Sequence, residues 1–507
     1  MNCISQNNSI KEVIKNSAHT DPAAVAIISS KYKPLSYAQL AGQIDHVADT
    51  LNKSGLKDYA RIAIAVKDTA PATLAIVAVA CFAAAVPLDQ NLTEAEIEIR
   101  LKLLNIDAVC VLAGENTATR SVAEKQGIAI FELIPQDKHE LSFSMSDPDV
   151  SNKFRMNNGP SDDVAVIFQT SGTTAEPKLV PCHHSGLLAA AQRTRMWFNL
   201  NKNDRCLSIA PPYYSHGLTF TILAPLLSGG SVAFPSSPNE VNLVEWFEKL
   251  SPTWFSASPT MHLAISEKLG STSSGLNHKL RFAGSGGAQL PENVRSNLQL
   301  ALGIPVLEHY GMTEASQIST NLPPPGPYKS GTVGIPPHDT VIIAGDNSDS
   351  LPSSQKGEIW VRGPNVIKGY LNGQELNQTA FSNGWFRTGD IGSLDKDGFL
   401  TIHDRIKELI NRGSEKISPF EIEAIILKHP DVLEAVAFGV PHPRLGEDVA
   451  AAVVLRPGAT LDTVEFRSFM SAHLSWNKVP RRVKIMESIP KGLGGKALRR
   501  KLSELHS

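Results

Sequence analysis

A loop of small and hydroxyl-bearing residues, closed by a lysine, is the strongest sign of chemistry in this sequence. The loop follows the apolar run 164–168 and consists of Thr170, Ser171, Gly172, Thr173 and Thr174. Backbone N–H groups in such a loop form a concave site for an anion, and the hydroxyls add hydrogen-bond donors. Lys178 follows and supplies a positive charge that suits phosphate. A solvated turn is the alternative, but the buried strand predicted directly before the loop favours phosphate binding.

A second cluster, 308–314, reads E-H-Y-G-M-T-E and combines flat, polarizable side chains with oxygen ligands. Tyr310 and Met312 offer a surface on which an aromatic base can lie. Thr313 and Glu314 offer a hydroxyl and a carboxylate, which suit a hard cation such as Mg²⁺. A glutamate after a glycine turn is more often exposed than a ligand, so this cluster needs the other motifs to support it.

Three more segments carry charged side chains in glycine-rich or charged surroundings. Asp390 ends the segment 384–390, where a carboxylate after a glycine turn is well placed to accept hydrogen bonds from both hydroxyls of a ribose. The segment 404–410 reads D-R-I-K-E-L-I. Lys496 ends the segment 490–496, whose glycines free the backbone so that the lysine can reach a distant anion. For each segment taken alone, a solvated turn, face or tail is the simpler interpretation.

Several kinds of site and partner are excluded by what the sequence lacks. It contains no G-x-x-x-x-G-K-[ST] loop, no G-x-S-x-G nucleophile elbow and no H-E-x-x-H zinc helix. A net charge of −2 provides no global positive field to hold nucleic acid. Five cysteines without a C-x-x-C pair argue against a disulfide framework or a zinc cluster. Residues 1–17 form no apolar signal core and the longest apolar run, 74–86, is too short to span a bilayer, so we expect a cytoplasmic protein without a membrane span.

The elements that must position these residues are predicted to form an α/β fold. The pattern predicts strands at 61–66 and 108–112. It predicts helices at 72–86 and 91–104, of which the first is apolar throughout and therefore buried. Alternation of this kind is typical of parallel sheets covered by helices. The polar stretch 142–163 is predicted to be a linker or loop.

The C-terminal part of the chain predicts a compact α+β module of about a hundred residues. Ser418 can cap a helix over 419–428, with a proline at its first position, and Glu421 can bond back to the cap. Strand patterns follow at 436–440 and 449–455.

The five chemical motifs together resemble one family, the acyl-adenylate-forming superfamily of acyl-CoA synthetases, peptide-synthetase adenylation domains and luciferases. The matching segments are T-S-G-T-T-A-E-P-K, Y-G-M-T-E, W-F-R-T-G-D, D-R-I-K-E-L-I and P-K-G-L-G-G-K, in the family's order and over most of the chain. The stretch 406–419 is most similar to the oxalate–CoA ligase and 4-coumarate–CoA ligase branch.

The resemblance implies an α/β fold in two domains. Residues 1–406 would form a large AMP-binding domain of two α/β subdomains plus a distorted β-barrel. Residues 407–507 would form a small, mobile α+β domain, and Lys407 occupies the family's hinge position.

The resemblance also implies roles for residues at matching positions. It implies nucleotide contacts by Thr170, Ser171, Gly172, Thr173, Thr174, Lys178, Gly287, Ala288, Glu308, His309, Tyr310, Gly311, Met312, Thr313, Asp390, Arg405, Lys407 and Lys496. It implies that Glu314 binds Mg²⁺ and that Thr313, Glu314 and Lys496 are catalytic, with Lys496 promoting adenylation. Candidates for the wall around the acid are His216, Ser285, Gly286, Gly287, Tyr310 and Ser316, with Gln317 near them. Tyr214 departs from the family, which usually has a histidine there.

The implied reaction joins a carboxylic acid to coenzyme A, consuming ATP in the presence of Mg²⁺ and releasing AMP and pyrophosphate. His216 and Ser285 could hydrogen-bond a second carboxylate, which favours a small or dicarboxylic acid such as oxalate. The alternative is a polar rim around an apolar tunnel for an aromatic or fatty acid. Two further readings are an adenylating enzyme that loads the phosphopantetheine arm of a carrier protein and an inactive nucleotide-binding paralogue. Retention of Lys178, Glu314, Asp390 and Lys496 argues against the inactive paralogue.

Overall fold

The chain divides into two compact units. The computed structural model describes residues 9–56, 59–146, 148, 163–170, 177–270, 276–345, 348–371, 373–413, 415–492 and 496–505. The first unit comprises 1–328 and 362–386, and the second comprises 329–361 and 387–507. A functional division at residue 407 stays a prediction.

One seven-stranded sheet of the first unit carries the hydroxyl-rich loop. Its spatial order is Phe143–Met145, Ala129–Pro135, Ala108–Leu112, Arg61–Ala65, Ala84–Pro87, Val164–Thr170 and Lys178–His183. The inner strands pair in parallel, and each outermost strand is antiparallel to its neighbour. Helices that alternate with these strands along the chain are Ile10–Thr20, Tyr37–Lys53, Thr69–Ala80, Glu94–Leu103 and Ala118–Gln126. The predicted α/β alternation is therefore confirmed.

The apolar run 72–86 was expected to be a single helix, and that expectation is wrong. The helix Thr69–Ala80 ends early, and Ala84–Pro87 is a parallel strand between two other strands. Every residue from Ala70 to Ala80 is buried, and so is the whole strand. A helix buried on all sides and a strand buried on both faces have no polar side, so hydrophobic periodicity cannot separate them.

An eight-stranded sheet completes the first unit and carries the second motif. Its order is Ser316–Thr320, Val306–Met312, Phe282–Ser285, Trp254–Ala257, Arg205–Leu207, Ser231–Phe234, Val25–Ser29 and Leu35–Ser36. Its helices are His184–Phe198, Ala224–Leu227, Pro259–Gly270 and Glu292–Leu302, with π-helical turns at His216–Leu223 and Val244–Lys249, while Gln374–Ala380 follows later in the unit. Parallel pairing aligns the strands that end at Ala257, Ser285 and Met312, so the loops after them meet at one edge of the sheet.

The second unit consists of two smaller sheets. One contains Val341–Ala344, Gly357–Val361, Trp385–Leu394 and Leu400–Arg405, and the short strand Phe381–Ser382 of the first unit pairs with the start of Trp385–Leu394. The other has the order Glu415–Ile417, Ile410–Arg412, Gly446–Leu455 and Val432–His442, with Arg482–Ile485 beside Gly446–Leu455. The helices are the 3₁₀ turn Ile406–Glu408 and the α-helices Pro419–Ile426, Thr463–His473 and Arg499–Glu504.

The predicted cap of the helix Pro419–Ile426 is confirmed in part. The Ser418 hydroxyl accepts a hydrogen bond from the Glu421 backbone N–H at 3.1 Å. The Glu421 carboxylate does not return to the cap, because it accepts instead from Lys478 Nζ at 2.7 Å.

The chain is thus an α/β protein with a small α+β module at its C-terminal end. In the parts of the chain that the structure describes, no helix is both long enough and apolar enough to cross a membrane.

Candidate active site

Lys178 and Glu314 are linked through a tyrosine hydroxyl. Lys178 begins the strand after the hydroxyl-rich loop and pairs in the ladder with Thr170, which ends the strand before it. Lys178 Nζ donates to the Tyr370 hydroxyl at 3.3 Å, and that hydroxyl donates to Glu314 Oε1 at 2.8 Å. Burial and the Glu314 carboxylate raise the pKa of Tyr370 well above its ordinary value. The phenol therefore keeps its proton and holds the carboxylate in place.

The loop between these strands carries four of the predicted phosphate ligands. Ser171, Gly172, Thr173 and Thr174 lie outside the described residues, so their predicted role stays a prediction.

The turn that carries Glu314 is fixed by backbone contacts on two sides. It joins the antiparallel strands Val306–Met312 and Ser316–Thr320. Gly311 is required here, because a Cβ at this position would lie 2.3 Å from the Ser316 carbonyl oxygen. The Glu314 carbonyl accepts from the Ile367 N–H at 2.9 Å, and the Asn365 side-chain amide donates to the Ala315 carbonyl. Glu314 is buried, with one carboxylate oxygen used by Tyr370. A carboxylate is a hard oxygen ligand, so Glu314 fits the Mg²⁺ that the resemblance implies.

Three buried imidazoles lie around the end of the strand Phe282–Ser285. The rings of His216 and His309 stack, with centroids 5.2 Å apart and an interplanar angle of 5°. His309 Nε2 is 3.1 Å from the Ser256 hydroxyl. His262 Nε2 donates to the Gly284 carbonyl at 2.8 Å. These contacts fix the rings in position on three different elements.

Gly286 makes the close approach of His309 to the strand end possible. A Cβ at Gly286 would lie 2.1 Å from His309 Cε1, which is far inside a van der Waals contact. Gly287 follows with φ of +89°, the left-handed region that glycine occupies readily. Gly286 therefore leaves space at the strand end for the imidazole, and Gly287 allows the backbone to turn there.

The imidazoles are neutral at pH 7. Burial lowers the pKa of His216 and of His262 to about 4, and it lowers the pKa of His309 well below the ordinary range. The side chains of His216, His262, His309, Ser285 and Gln317 each have one buried polar atom with no hydrogen-bond partner in the described structure. An unsatisfied buried polar group costs about 1–3 kcal/mol, so a cluster of them is typical of a site that a polar ligand completes.

The rest of the second motif lies on the same sheet edge. Burial raises the pKa of Glu308 to about 7, with Arg295 opposing that rise. Tyr310 is buried in the strand, and Ser316 begins the next strand with φ of +49°. The structure thus brings together residues that were predicted for the nucleotide and for the acid, while their individual roles stay predictions.

Four of the predicted residues, Asp390, Arg405, Lys407 and Lys496, lie in the second unit. Arg405 Nε donates to Asp390 Oδ1 at 2.7 Å across a pair of antiparallel strands. Lys407 lies in the 3₁₀ turn Ile406–Glu408. The exposed residue Lys496 accepts at its backbone carbonyl from the Gly492 N–H at 2.7 Å. Asp390 and Arg405 thus form one pair within this unit, and Lys496 belongs to a separate loop.

Sequence reasoning missed Tyr370, His262 and Ser256. None of them stands in a motif, and only the folded chain brings them to the site.

A cavity of about 430 Å³ lies elsewhere in the first unit, lined by Ser236, Glu240, Asn242, Glu245 and Lys268 among others. It contains none of the predicted site residues, so it does not change the location of the candidate site.

Comparison with known proteins gives the family. Residues 14–371 match the AMP-binding enzyme family, and residues 421–496 match the AMP-binding enzyme C-terminal domain. The oxalate–CoA ligase of Arabidopsis thaliana is 35% identical over 97% of this chain and 98% of its own length. The sulfoacetate–CoA ligase of Cupriavidus necator is also 35% identical, over 67% of each protein.

A solved structure supports the same assignment. The crystal structure of ATP-bound MatB from Rhodopseudomonas palustris matches with a TM-score of 0.83 and 26% identity, covering 98% of this chain and 100% of that one. The family match spans more than half of the chain, and the relatives extend over both units. The chain therefore belongs to the AMP-binding enzyme family, within the acyl-adenylate-forming superfamily, and is an AMP-forming acyl-CoA ligase close to the oxalate–CoA and coumarate–CoA ligase branch.

Proposed function

We propose that this ligase activates a small acid with a second polar group, a dicarboxylic acid such as oxalate, and transfers it to coenzyme A. The observation that carries this proposal is the cluster of unsatisfied polar atoms on His216, His309 and Ser285, each of which can supply an N–H or O–H group. A second carboxylate can accept from the N–H and O–H groups of such a cluster, whereas an alkyl tail would leave them unpaired. A site built to hydrogen-bond its substrate rejects analogues that lack the matching group by about 10⁴-fold.

In the first half-reaction, a carboxylate oxygen of the acid attacks the α-phosphorus of ATP. A new P–O bond forms, the bond to the bridging oxygen breaks, and pyrophosphate leaves. Negative charge gathers around the phosphorus, so positive charges aimed there lower the barrier. We assign this role to Lys496, and we assign the phosphates beside the hydroxyl-rich loop to Lys178. Glu314 would hold Mg²⁺, which when bound neutralises phosphate charge.

In the second half-reaction, the CoA thiol sulfur attacks the acyl carbon. The C–S bond forms, the bond to the AMP oxygen breaks, and the thiol proton leaves to solvent. AMP is a far better leaving group than oxide, so no protein nucleophile is required. We assign the ribose hydroxyls to the Asp390 carboxylate, which Arg405 orients through their 2.7 Å contact.

The experiment is a comparison of acids under one set of conditions. AMP release and thioester formation are measured with oxalate, malonate, succinate, acetate, coumarate and laurate, each with ATP, Mg²⁺ and CoA. We expect the short dicarboxylates to give the highest kcat/KM and CoA thioesters as products. Turnover confined to laurate or coumarate would contradict the polar pocket. Pyrophosphate release with transfer to a phosphopantetheine carrier, and none to CoA, would support the carrier-loading alternative.

The pocket is tested separately with His309→Asn, because stacking on His216 leads us to assign His309 to the acid and not to the nucleotide that the resemblance implies. Loss of one or two hydrogen bonds to the acid is expected to raise KM for the preferred dicarboxylate by about 10- to 100-fold, with a smaller change in KM for ATP. His139→Asn, at an exposed position of the same unit, is the matched control and should leave both values unchanged. Equal values of KM for the acid in His309→Asn and wild type would remove His309 from the acid pocket.

A further inference from the structure

We propose that Arg499 is a positioning residue for adenylation, which holds the segment carrying Lys496 against the rest of the second unit. The inference rests on the role proposed above for Lys496. Arg499 does not stand in the P-K-G-L-G-G-K motif, and nothing in the proposed reaction uses its charge directly.

The Arg499 guanidinium joins three elements at once. Its Nε donates to the Ala437 carbonyl at 3.1 Å, Nη1 donates to Glu408 at 2.6 Å, and Nη2 donates to Glu423 at 2.7 Å. These partners belong to the strand Val432–His442, the 3₁₀ turn Ile406–Glu408 and the helix Pro419–Ile426. The guanidinium carbon also lies 4.7 Å from the centroid of the Phe420 ring. The side chain is only 17% exposed, so it is set into the unit rather than lying on its surface.

Arg499 lies three residues after Lys496, and backbone hydrogen bonds restrain the short segment between them. The Leu498 N–H donates to the Pro490 carbonyl at 2.9 Å, and Lys491 and Ala497 form an isolated β-bridge. The two sides of the loop are thereby paired with each other. Lys491 Nζ contacts Glu434 at 2.8 Å, which anchors the side before Lys496. Arg499 anchors the side after it, so the loop is held at both ends.

The charges around Arg499 allow its contacts to be weakened by substitution without unfolding the second unit. One arginine lies between two carboxylates, and burial raises the pKa of Glu423 to about 7 even with Arg499 beside it. When the arginine is removed, Glu423 can bind a proton and avoid leaving a buried charge. Lysine in place of arginine keeps the positive charge but cannot donate to three partners in fixed directions. Arg499→Lys therefore tests geometry apart from charge.

The effect of Arg499→Lys is measured separately in the two half-reactions. Adenylation is measured as acid-dependent exchange of pyrophosphate into ATP, and thioester formation is measured from prepared acyl-adenylate and CoA. We expect Arg499→Lys to slow exchange by about 10- to 100-fold through kcat, because a displaced charge loses much of its effect on the barrier. Thioester formation should stay within about threefold of wild type, which a general loss of structure would not allow. Arg500→Lys, an exposed neighbour paired with Glu504, is the matched control and should match wild type in both assays.

Three results would overturn or redirect the inference. Exchange within twofold of wild type in Arg499→Lys, while Lys496→Ala abolishes exchange, would refute the positioning role and leave the proposed function intact. Retained pyrophosphate exchange in Lys496→Ala would instead show that Lys496 does not promote adenylation. The positioning role of Arg499 would then be refuted as well. An equal fall in both half-reactions would make Arg499 a purely structural residue. If Arg499→Lys does not fold, Glu408→Gln tests the positioning role instead. In that variant Arg499 keeps its contact to Glu423, and we expect adenylation alone to slow by a few-fold.

Discussion

At the scale of single residues, the Tyr370 hydroxyl links two groups of opposite charge, Lys178 and Glu314. A direct ion pair between Lys178 and Glu314 would satisfy each with the other. The Tyr370 hydroxyl instead accepts from Lys178 and donates to Glu314, so one phenol orients both groups. This geometry suits a site in which the lysine meets phosphate and the carboxylate meets a cation.

Tyr370→Phe is predicted to impair adenylation. The change removes one hydrogen bond to a carboxylate and one from an ammonium group, and hydrogen bonds to charged groups contribute about 1.5–3 kcal/mol each. We expect kcat/KM for MgATP in pyrophosphate exchange to fall by about 10- to 100-fold, with a higher Mg²⁺ requirement. Tyr32→Phe, which removes a 3.2 Å hydrogen bond to Asp68 elsewhere in the unit, is the control. Unchanged exchange in Tyr370→Phe would show that the tyrosine link does not support the reaction.

At the scale of elements, the proposed acid site depends on parallel strands that end together and on a glycine that follows one of them. The strands Trp254–Ala257, Phe282–Ser285 and Val306–Met312 supply Ser256, Ser285 and His309 from adjacent positions. The π-helical turn His216–Leu223 brings His216 and Phe220 over the same ring, with the Phe220 and His309 centroids 4.7 Å apart. The packing of one imidazole thus depends on four elements.

Gly286→Ala is predicted to disturb this packing. The added methyl group would overlap His309, whose ring is confined by His216, Phe220 and Ser256, so the ring or the strand end must move. Overpacking of this kind typically costs about 1–3 kcal/mol. We expect lower stability in urea and a KM for the acid raised by about tenfold or more. Gly270→Ala, where a Cβ meets nothing within 4 Å, should behave as wild type; wild-type acid binding by Gly286→Ala would argue against a shared pocket.

At the scale of the whole molecule, the buried histidines make stability depend on pH. The pKa of His262 is about 4 when folded and 6.5 in its ordinary state, so between these values the unfolded chain binds a proton that the folded chain does not. The free energy of unfolding therefore falls as the pH drops from about 6.5 towards 4, and the penalty is absent above 6.5.

His262→Gln is predicted to flatten that dependence. The glutamine amide can still donate to the Gly284 carbonyl but does not titrate. From pH 7 to pH 5, the variant should lose about 2 kcal/mol less unfolding free energy than wild type. Urea unfolding followed by tryptophan fluorescence at both pH values measures this, with the exposed His139→Gln as control. Parallel losses in variant and wild type would show that His262 is not buried in its neutral form.

Much of the fold and the class of reaction could be predicted because their signals are local. The strand at 108–112 coincides with the observed Ala108–Leu112, and the Ser418 cap depends on neighbours within three residues. The five motifs, in their order, resemble the acyl-adenylate-forming superfamily, and that resemblance predicted the class of reaction. The helix expected over 72–86 failed where burial on all sides erased the periodic signal.

The sequence by itself determined which groups are available for the proposed chemistry: a hydroxyl-rich loop, the carboxylate of Glu314, and the lysines Lys178 and Lys496. Tertiary structure decided how these groups are held. Tyr370 reaches Lys178 from 192 residues away and Glu314 from 56 residues away, and Arg499 reaches Glu408 from 91. No local pattern marks such partners, because a hydrogen bond between distant segments depends only on where the packed elements place two atoms. The same holds for the three imidazoles of His216, His262 and His309. They are neutral and keep unpaired ring nitrogens only because separate strands and helices bury them together.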